Sequence, residues 1–129
     1  MKQKGATFTK GERLCSVRAI SDLFSGGRSI SLPPLRIIYR VMPEDPSLEP
    51  VRVMLSVPKR YFKKAVDRNL IKRRIREAYR QNKLPLINSL QGSGNRIDMS
   101  IIWNDTSIQS YDITERCVKE TIGKLTHLK

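Results

Sequence analysis

The chain has 129 residues, with 25 Lys and Arg against 12 Asp and Glu, a formal charge of +13 at pH 7. That length suits one domain around one core, and 39% hydrophobic residues are enough to build it, so the charge does not imply disorder. No apolar run approaches the roughly 20 residues needed to cross a bilayer, and the opening MKQKGATFTKGERL lacks the apolar stretch of a secretory signal. An imbalance of this size speaks of partners: it points to a polyanion, nucleic acid ahead of an anionic membrane surface. Cys15 and Cys117 lie far apart in no metal-ligand spacing, and read as reduced core thiols of a cytoplasmic protein.

Residues 1–10 are polar and basic and read as a flexible arm, with 11–129 as a single domain. From Gly11 to Phe24, the residues Leu14, Val17, Ile20, Leu23 and Phe24 recur at helical spacing, and Gly26-Gly27 supplies a stop. The period then falls to two. Leu35, Ile37, Tyr39 and Val41 share one face of a strand, with Arg36 and Arg40 on the other. Val51, Val53, Leu55 and Val57 alternate with Arg52, Met54 and Ser56 in a second strand, ended by Pro58. The three prolines of MPEDPSLEP make the segment between them a loop, and the two strands are expected to pair as an antiparallel hairpin.

A helix is expected from about Lys64 to Asn82. Pro85 and QGSGN then mark a connector, with a short turn around Leu86 to Leu90. Ile97, Met99, Ile101 and Trp103 alternate in a third clear strand. From Tyr111 onward, Cys117 or Val118 with Ile122 and Leu125 recur at the spacing of a closing helix. The sum is one α+β domain.

Charge gathers in the segment before and within the long helix. From Lys59 to Arg80 ten basic residues face only Asp67 and Glu77, which places +8 of the chain's +13 there. At about 100° per residue, Asn69, Lys72, Arg73, Arg76 and Arg80 fall within one arc, at offsets i, i+3, i+4, i+7 and i+11. Ile71, Ile75, Ala78 and Tyr79 occupy another side, which must face the sheet. Solvated helix faces usually mix signs so that i,i+4 pairs form. A row of one sign in which arginine outnumbers lysine suits phosphates, which a guanidinium grips with a planar fork.

No helix-turn-helix, zinc-finger or heptad pattern accompanies the row, which argues against sequence-specific duplex DNA. Aromatics beside a basic helix suit single-stranded RNA, whose bases stack on rings, and Phe24 and Tyr39 are the candidates. A metal-dependent nuclease would need convergent carboxylates. Glu44, Asp45 and Glu49 cluster only in the proline-rich loop, Asp98 and Asp105 bracket a strand without a supporting His, and His127 stands alone in the tail. No catalytic residue and no metal ligand is therefore assigned.

At AVDRNLIKRRIREAYR, residues 65–80, the chain resembles the protein component of bacterial ribonuclease P, whose signature is an Arg-Asn-Arg helix. The preceding LSVPKR is similar to the family's Ser-Val-x-Lys run, and FTKGERLCSVRAISDLFSGGRS to its opening, so that the match spans most of residues 8–125. The resemblance implies an αβββαβα sandwich with Arg28 to Ser31 as first strand, a mostly antiparallel sheet, and a left-handed βαβ crossover through the basic helix. It implies an RNA-binding subunit of a tRNA-maturing endoribonuclease. The partners would be the ribonuclease P RNA and precursor tRNA, with no membrane and no obligate protein partner.

In that family the chemistry belongs to the RNA and its magnesium, so no cofactor is expected on the protein alone. The family's RNA-binding motif falls on Arg68 and Asn69, with Leu70 where a second Arg is usual, and its further basic positions fall on Lys72, Arg73 and Arg76. Its cleft for the 5′ leader of precursor tRNA falls on Phe24, Tyr39 and either Lys59 or Arg60, with Ile20 in place of the first aromatic. The alternative from composition is a ribosomal or general RNA-binding protein with no part in cleavage.

Overall fold

A computed structural model describes residues 8–127. A 3-10 turn at Lys10–Glu12 leads to α1 (Val17–Gly26), then β1 (Arg28–Leu32), β2 (Leu35–Pro43) and β3 (Val51–Ser56). The chain continues through α2 (Ala65–Asn82), α3 (Leu84–Leu90), β4 (Asn95–Trp103) and α4 (Tyr111–Thr126). The strands form one sheet in the order β1-β2-β4-β3, antiparallel except where β3 runs parallel to β4. Because β3 and β4 are parallel neighbours, the chain between them must cross over, and α2 with α3 is that crossover.

The expected hairpin of β2 with β3 does not form, because β4 lies between them. The reason is burial. Ile97, Met99, Ile101 and Trp103 are buried on one face of β4, while Asp98 and Ser100 are buried on the other. A strand covered on both sides belongs in the middle of a sheet.

On the first face, Leu35, Ile37 and Tyr39 of β2 join Val51 and Val53 of β3 and the apolar row of β4 in the main core. α2 covers this core with Ile71, Ile75, Ala78 and Tyr79, and α4 with Val118, Ile122 and Leu125. The connector after α2 is a complete helix, α3, which contributes Leu86 and Leu90. The second face carries a smaller cluster of Leu14, Leu23 and Ile38 beneath α1, joined by Ile20, Met54 and Ile102.

α1 begins at Val17 and not near Gly11. Thr9 and Glu12 close a capping box around the 3-10 turn, and the chain then extends along β3, where the Leu14 N–H donates to the Val53 carbonyl at 2.9 Å. The Ser16 side chain accepts from the Ala19 N–H and starts the helix. Leu14 is thus buried at a helical spacing without being helical. At the other end, a Cβ on Gly27 would lie 2.4 Å from the Leu23 carbonyl and 2.9 Å from Ile38, so only glycine lets α1 end this close to β2.

Residues 1–7 of the expected basic arm lie outside the described residues. Its end is packed: the Phe8 ring meets Tyr79 edge-on at 5.9 Å, and Glu12 reaches Lys83 at 2.6 Å in a buried ion pair. The cysteines are free, and only Cys117 packs against the main core. Cys15 is exposed on the extended stretch before α1, and Cys117 is half-buried, with its thiol donating to the Pro33 carbonyl at 3.6 Å. Burial foremost pushes the Cys117 thiol above its ordinary pKa.

Candidate nucleic-acid interface

The outward side of α2 carries the cations sorted by the helical period. Asn69 and Arg73 are exposed, and Lys72, Arg76 and Arg80 are half-exposed. Lys72, Arg73, Arg76 and Asn69 have no hydrogen-bond or ion-pair partner among the described residues. The Arg76 Nε is even withdrawn from solvent without an acceptor. Arg80 differs: its Nε and Nη2 donate to Glu77 at 2.9 and 2.6 Å, and Gln81 donates to the same carboxylate. Those bonds hold the Glu77 carboxyl down at about 2.

Two arginines of the same helix serve the fold. The Arg74 guanidinium donates to the Gln109 carbonyl at 2.6 Å and so ties α2 to the loop before α4. Arg68, expected as the first RNA contact, turns back from the row. Its Nη1 donates to the carbonyls of Phe62 and Lys63 at 2.7 and 3.0 Å. Side-chain reach to a backbone carbonyl six residues earlier leaves no trace in the helical period, and the resemblance alone had placed Arg68 among the RNA contacts.

The turn that Arg68 clamps joins β3 to α2. The Pro58 carbonyl accepts from the N–H groups of Tyr61 and Phe62, and the Phe62 side chain is buried in the main core. Outside the turn, Lys59, Arg60, Lys63 and Lys64 are exposed. The Arg60 guanidinium lies over the Tyr61 ring, 4.9 Å from its centroid, and donates to the Tyr61 hydroxyl at 3.4 Å. Lys59 has no partner among the described residues.

The rings of the two candidate aromatics, Phe24 and Tyr39, make no contact with each other among the described residues. Phe24 stands on α1, 47% exposed, next in sequence to Leu23, which packs in the cluster on the second face of the sheet. Tyr39 is 7% exposed and packs in the main core on the first face; its remaining edge borders an open cleft of about 460 Å3 shared with Arg28 and Arg40. Tyr39 thus packs on the face of β2 opposite its neighbour Ile38, which is the β2 residue in the cluster beneath α1. A slip of one residue along a strand exchanges faces. The alternation of β2 already carried the signal, since it set Tyr39 opposite Arg36 and Arg40. Those two arginines were passed over: Arg36 stands exposed in a row with Ser31, Ile102 and Ser56, and Arg40 stands beside Asp98.

The carboxylates are occupied by structure. Asp98, 1% exposed, accepts from Arg52 at 2.9 Å and from Arg96 at 2.9 Å, so that two cations share one buried anion. Asp45 accepts from Ser47, and Asp105 from Ser107 and Gln109, and these hydrogen bonds hold both carboxyls below their ordinary pKa. Among the described residues no three His, Cys, Asp or Glu converge on a point that could hold a metal ion. The arrangement offers binding and charge neutralisation by cations.

Residues 8–125 match the ribonuclease P family. The ribonuclease P protein component of Porphyromonas gingivalis is 32% identical over 122 residues, covering 93% of this chain and 88% of the relative. Among solved structures, the ribonuclease P protein of Thermotoga maritima superposes with a TM-score of 0.64 at 20% identity, over 92% of this chain and 98% of the other. That of Staphylococcus aureus superposes with a TM-score of 0.58 at 19% identity, over 88% and 91%. The basic helix, the order of elements and the extent of the match agree, and the chain belongs to the ribonuclease P protein family, the protein component of a tRNA-processing endoribonuclease whose catalysis is carried out by RNA.

Proposed function

We propose that the chain binds the RNA subunit of ribonuclease P through the outward row of α2, and the 5′ leader of precursor tRNA near α1 and the turn after β3. The observation that carries this reading is the set Lys72, Arg73 and Arg76, which stand side by side without an anionic partner among the described residues. Self-repulsion along such a row is relieved by phosphates. Asn69 adds a polar contact, and Arg80 contributes charge from its pair with Glu77. At the leader, Phe24 offers a ring, and Lys59 and Arg60 offer charge. Arg68 supports this surface from beneath.

The physical need is plain. A catalytic RNA and its precursor tRNA repel each other as polyanions, and a cationic protein at their junction lowers that repulsion. Magnesium does the same work, so the protein matters most where magnesium is scarce. The metal belongs with the RNA partner, and the site of action is the cytoplasm. Each phosphate neutralised adds about −0.7 to −0.9 to the slope of log K against log salt.

The test is cleavage of precursor tRNA by a bacterial ribonuclease P RNA at low millimolar magnesium, with and without the protein. Restored 5′ cleavage, with no activity from the protein alone, is expected. No restoration despite tight binding to RNAs in general would replace this reading with that of a general RNA-binding protein.

A further inference from the structure

We propose that the cleft at the end of the sheet, between the start of β1 and the last turn of α4, is a binding site for a small organic anion: a flat apolar body that bears one carboxylate, sulfonate or phosphate. The cleft offers about 460 Å3, within the span of about 300–1,000 Å3 usual for small-molecule sites. It shares no residue with the outward row of α2, with Phe24 on α1 or with the turn after β3. Its occupancy is therefore independent of RNA binding.

The two sides of the cleft differ in chemistry. In the register of the sheet Arg28 of β1 lies opposite Tyr39 of β2, and Val41 of β2 lies opposite Ile97 of β4, so the lining runs from cationic to apolar across the strands. On the apolar side Tyr39, Val41, Ile97 and Leu125 make the floor. Val41 falls on the core face of β2, two residues beyond Tyr39, yet it is 44% exposed, because the helices that cover this face leave it open. An uncovered valine beside the edge of a buried tyrosine is apolar surface that a ligand can remove from water.

On the cationic side, Arg28 is exposed and Arg40 half-exposed, and neither has a hydrogen-bond or ion-pair partner among the described residues. The Arg40 Nε lies 3.8 Å from where a Cβ on Gly26 would stand, so this side chain runs along the end of α1, next to the strand that carries Arg28. Asp98, opposite Arg40 in the sheet, is taken by Arg52 and Arg96, and among the described residues that line the cleft none is acidic. Two guanidinium groups without an anion, at one end of an apolar floor, select a ligand whose charge and apolar body lie at opposite ends. A wholly apolar ligand leaves the guanidinium groups unused, and a bare inorganic anion leaves Val41 uncovered.

The experiment titrates the full chain with 2-naphthoate, with the neutral 2-naphthalenemethanol and with acetate, and follows the NMR signals of the Val41 and Leu125 methyl groups. 2-Naphthoate is expected to shift both signals and to bind about tenfold more tightly than the alcohol, as a charge-assisted hydrogen bond requires. Acetate should shift neither. Arg28→Gln and Arg40→Gln should each weaken 2-naphthoate about threefold or more and leave the alcohol unchanged. Val41→Ser, at a position open to solvent, should weaken both. Arg73→Gln, on the outward row of α2, should change neither, and saturating 2-naphthoate should leave RNA affinity as it was. The site is overturned by the absence of any shift, by equal affinities for the acid and the alcohol, or by undiminished 2-naphthoate binding in the variant carrying both Arg28→Gln and Arg40→Gln. A loss in Arg73→Gln equal to theirs, or displacement of 2-naphthoate by RNA, would put the anion on the RNA surface and overturn it as well. The magnesium-dependent cleavage assay judges the subunit reading separately.

Discussion

Two sets of cations in this protein are treated in opposite ways. Inside, Lys83 is 1% exposed and paired with Glu12 at 2.6 Å, while Arg52 and Arg96 close on Asp98. Outside, Lys72, Arg73 and Arg76 stand in a row with no carboxylate partner among the described residues. A buried charge without a partner is costly, so the interior cations are matched by anions of the same chain. The surface row is left for an anion from elsewhere. Charge that holds the fold together and charge left open to a partner are thereby separated, although both are written with the same residue types.

The sharpest way to break this division is to remove an interior anion. Glu12→Gln leaves the Lys83 ammonium buried without its charge partner and should cost about 3 kcal/mol or more, seen as a fall in Tm of about 10 °C. RNA affinity of the folded fraction should stay the same. A variant as stable as the wild type would show that the pair is not what holds the N-terminal segment against α2 and α3.

The two aromatics extend the contrast. Tyr39→Ala should destabilise by about 2–4 kcal/mol in chemical denaturation, because its ring fills the main core. Phe24→Ala, on a half-exposed ring, should cost under about 1 kcal/mol and instead lessen the preference of the assembled enzyme for leader-bearing over mature tRNA. The reverse pattern would assign Tyr39 to the leader and Phe24 to the packing of the fold.

On the outer row, Lys72→Gln and Arg73→Gln should each change stability by less than about 0.5 kcal/mol. Each should lower the steepness of the salt dependence of RNA binding by about 0.7–0.9. An unchanged slope with lower stability would mean that these cations serve the fold after all.

The smallest effect belongs to the Glu77–Arg80 pair, which stands between the two sets. The Glu77 carboxyl is lowered from 4.5 to about 2, chiefly by the hydrogen bond from Arg80. A depressed carboxyl stabilises above its unfolded pKa, and that contribution is lost as pH falls from about 4.5 through about 2. The pair is largely exposed, so Glu77→Gln should flatten the acid limb of the stability curve by less than about 1 kcal/mol. A larger change would move Arg80 into the structural set.

Strong local periods made much of the fold legible. The buried side of α2 is Ile71, Ile75, Ala78 and Tyr79 as the helical spacing required, and Ile97, Met99, Ile101 and Trp103 line the core face of β4. α4 likewise buries Val118, Ile122 and Leu125. In each case the signal is carried by residues two, three or four apart, which is the range over which a strand or helix sets its own faces.

By itself, then, the sequence determined the types of these elements and the sorting of charge along α2. It also carried, in RNLIKRR and the segments around it, the family to which the chain belongs. The tertiary structure alone decided that β4 separates β2 from β3, that α1 covers the face of the sheet opposite Tyr39, and that Arg68 clamps a turn. Each of these depends on a hydrogen bond or contact outside the range of the local pattern. Strand order follows from which strand is covered on both faces, and the fate of a cation follows from which carboxylate or carbonyl the fold brings within reach.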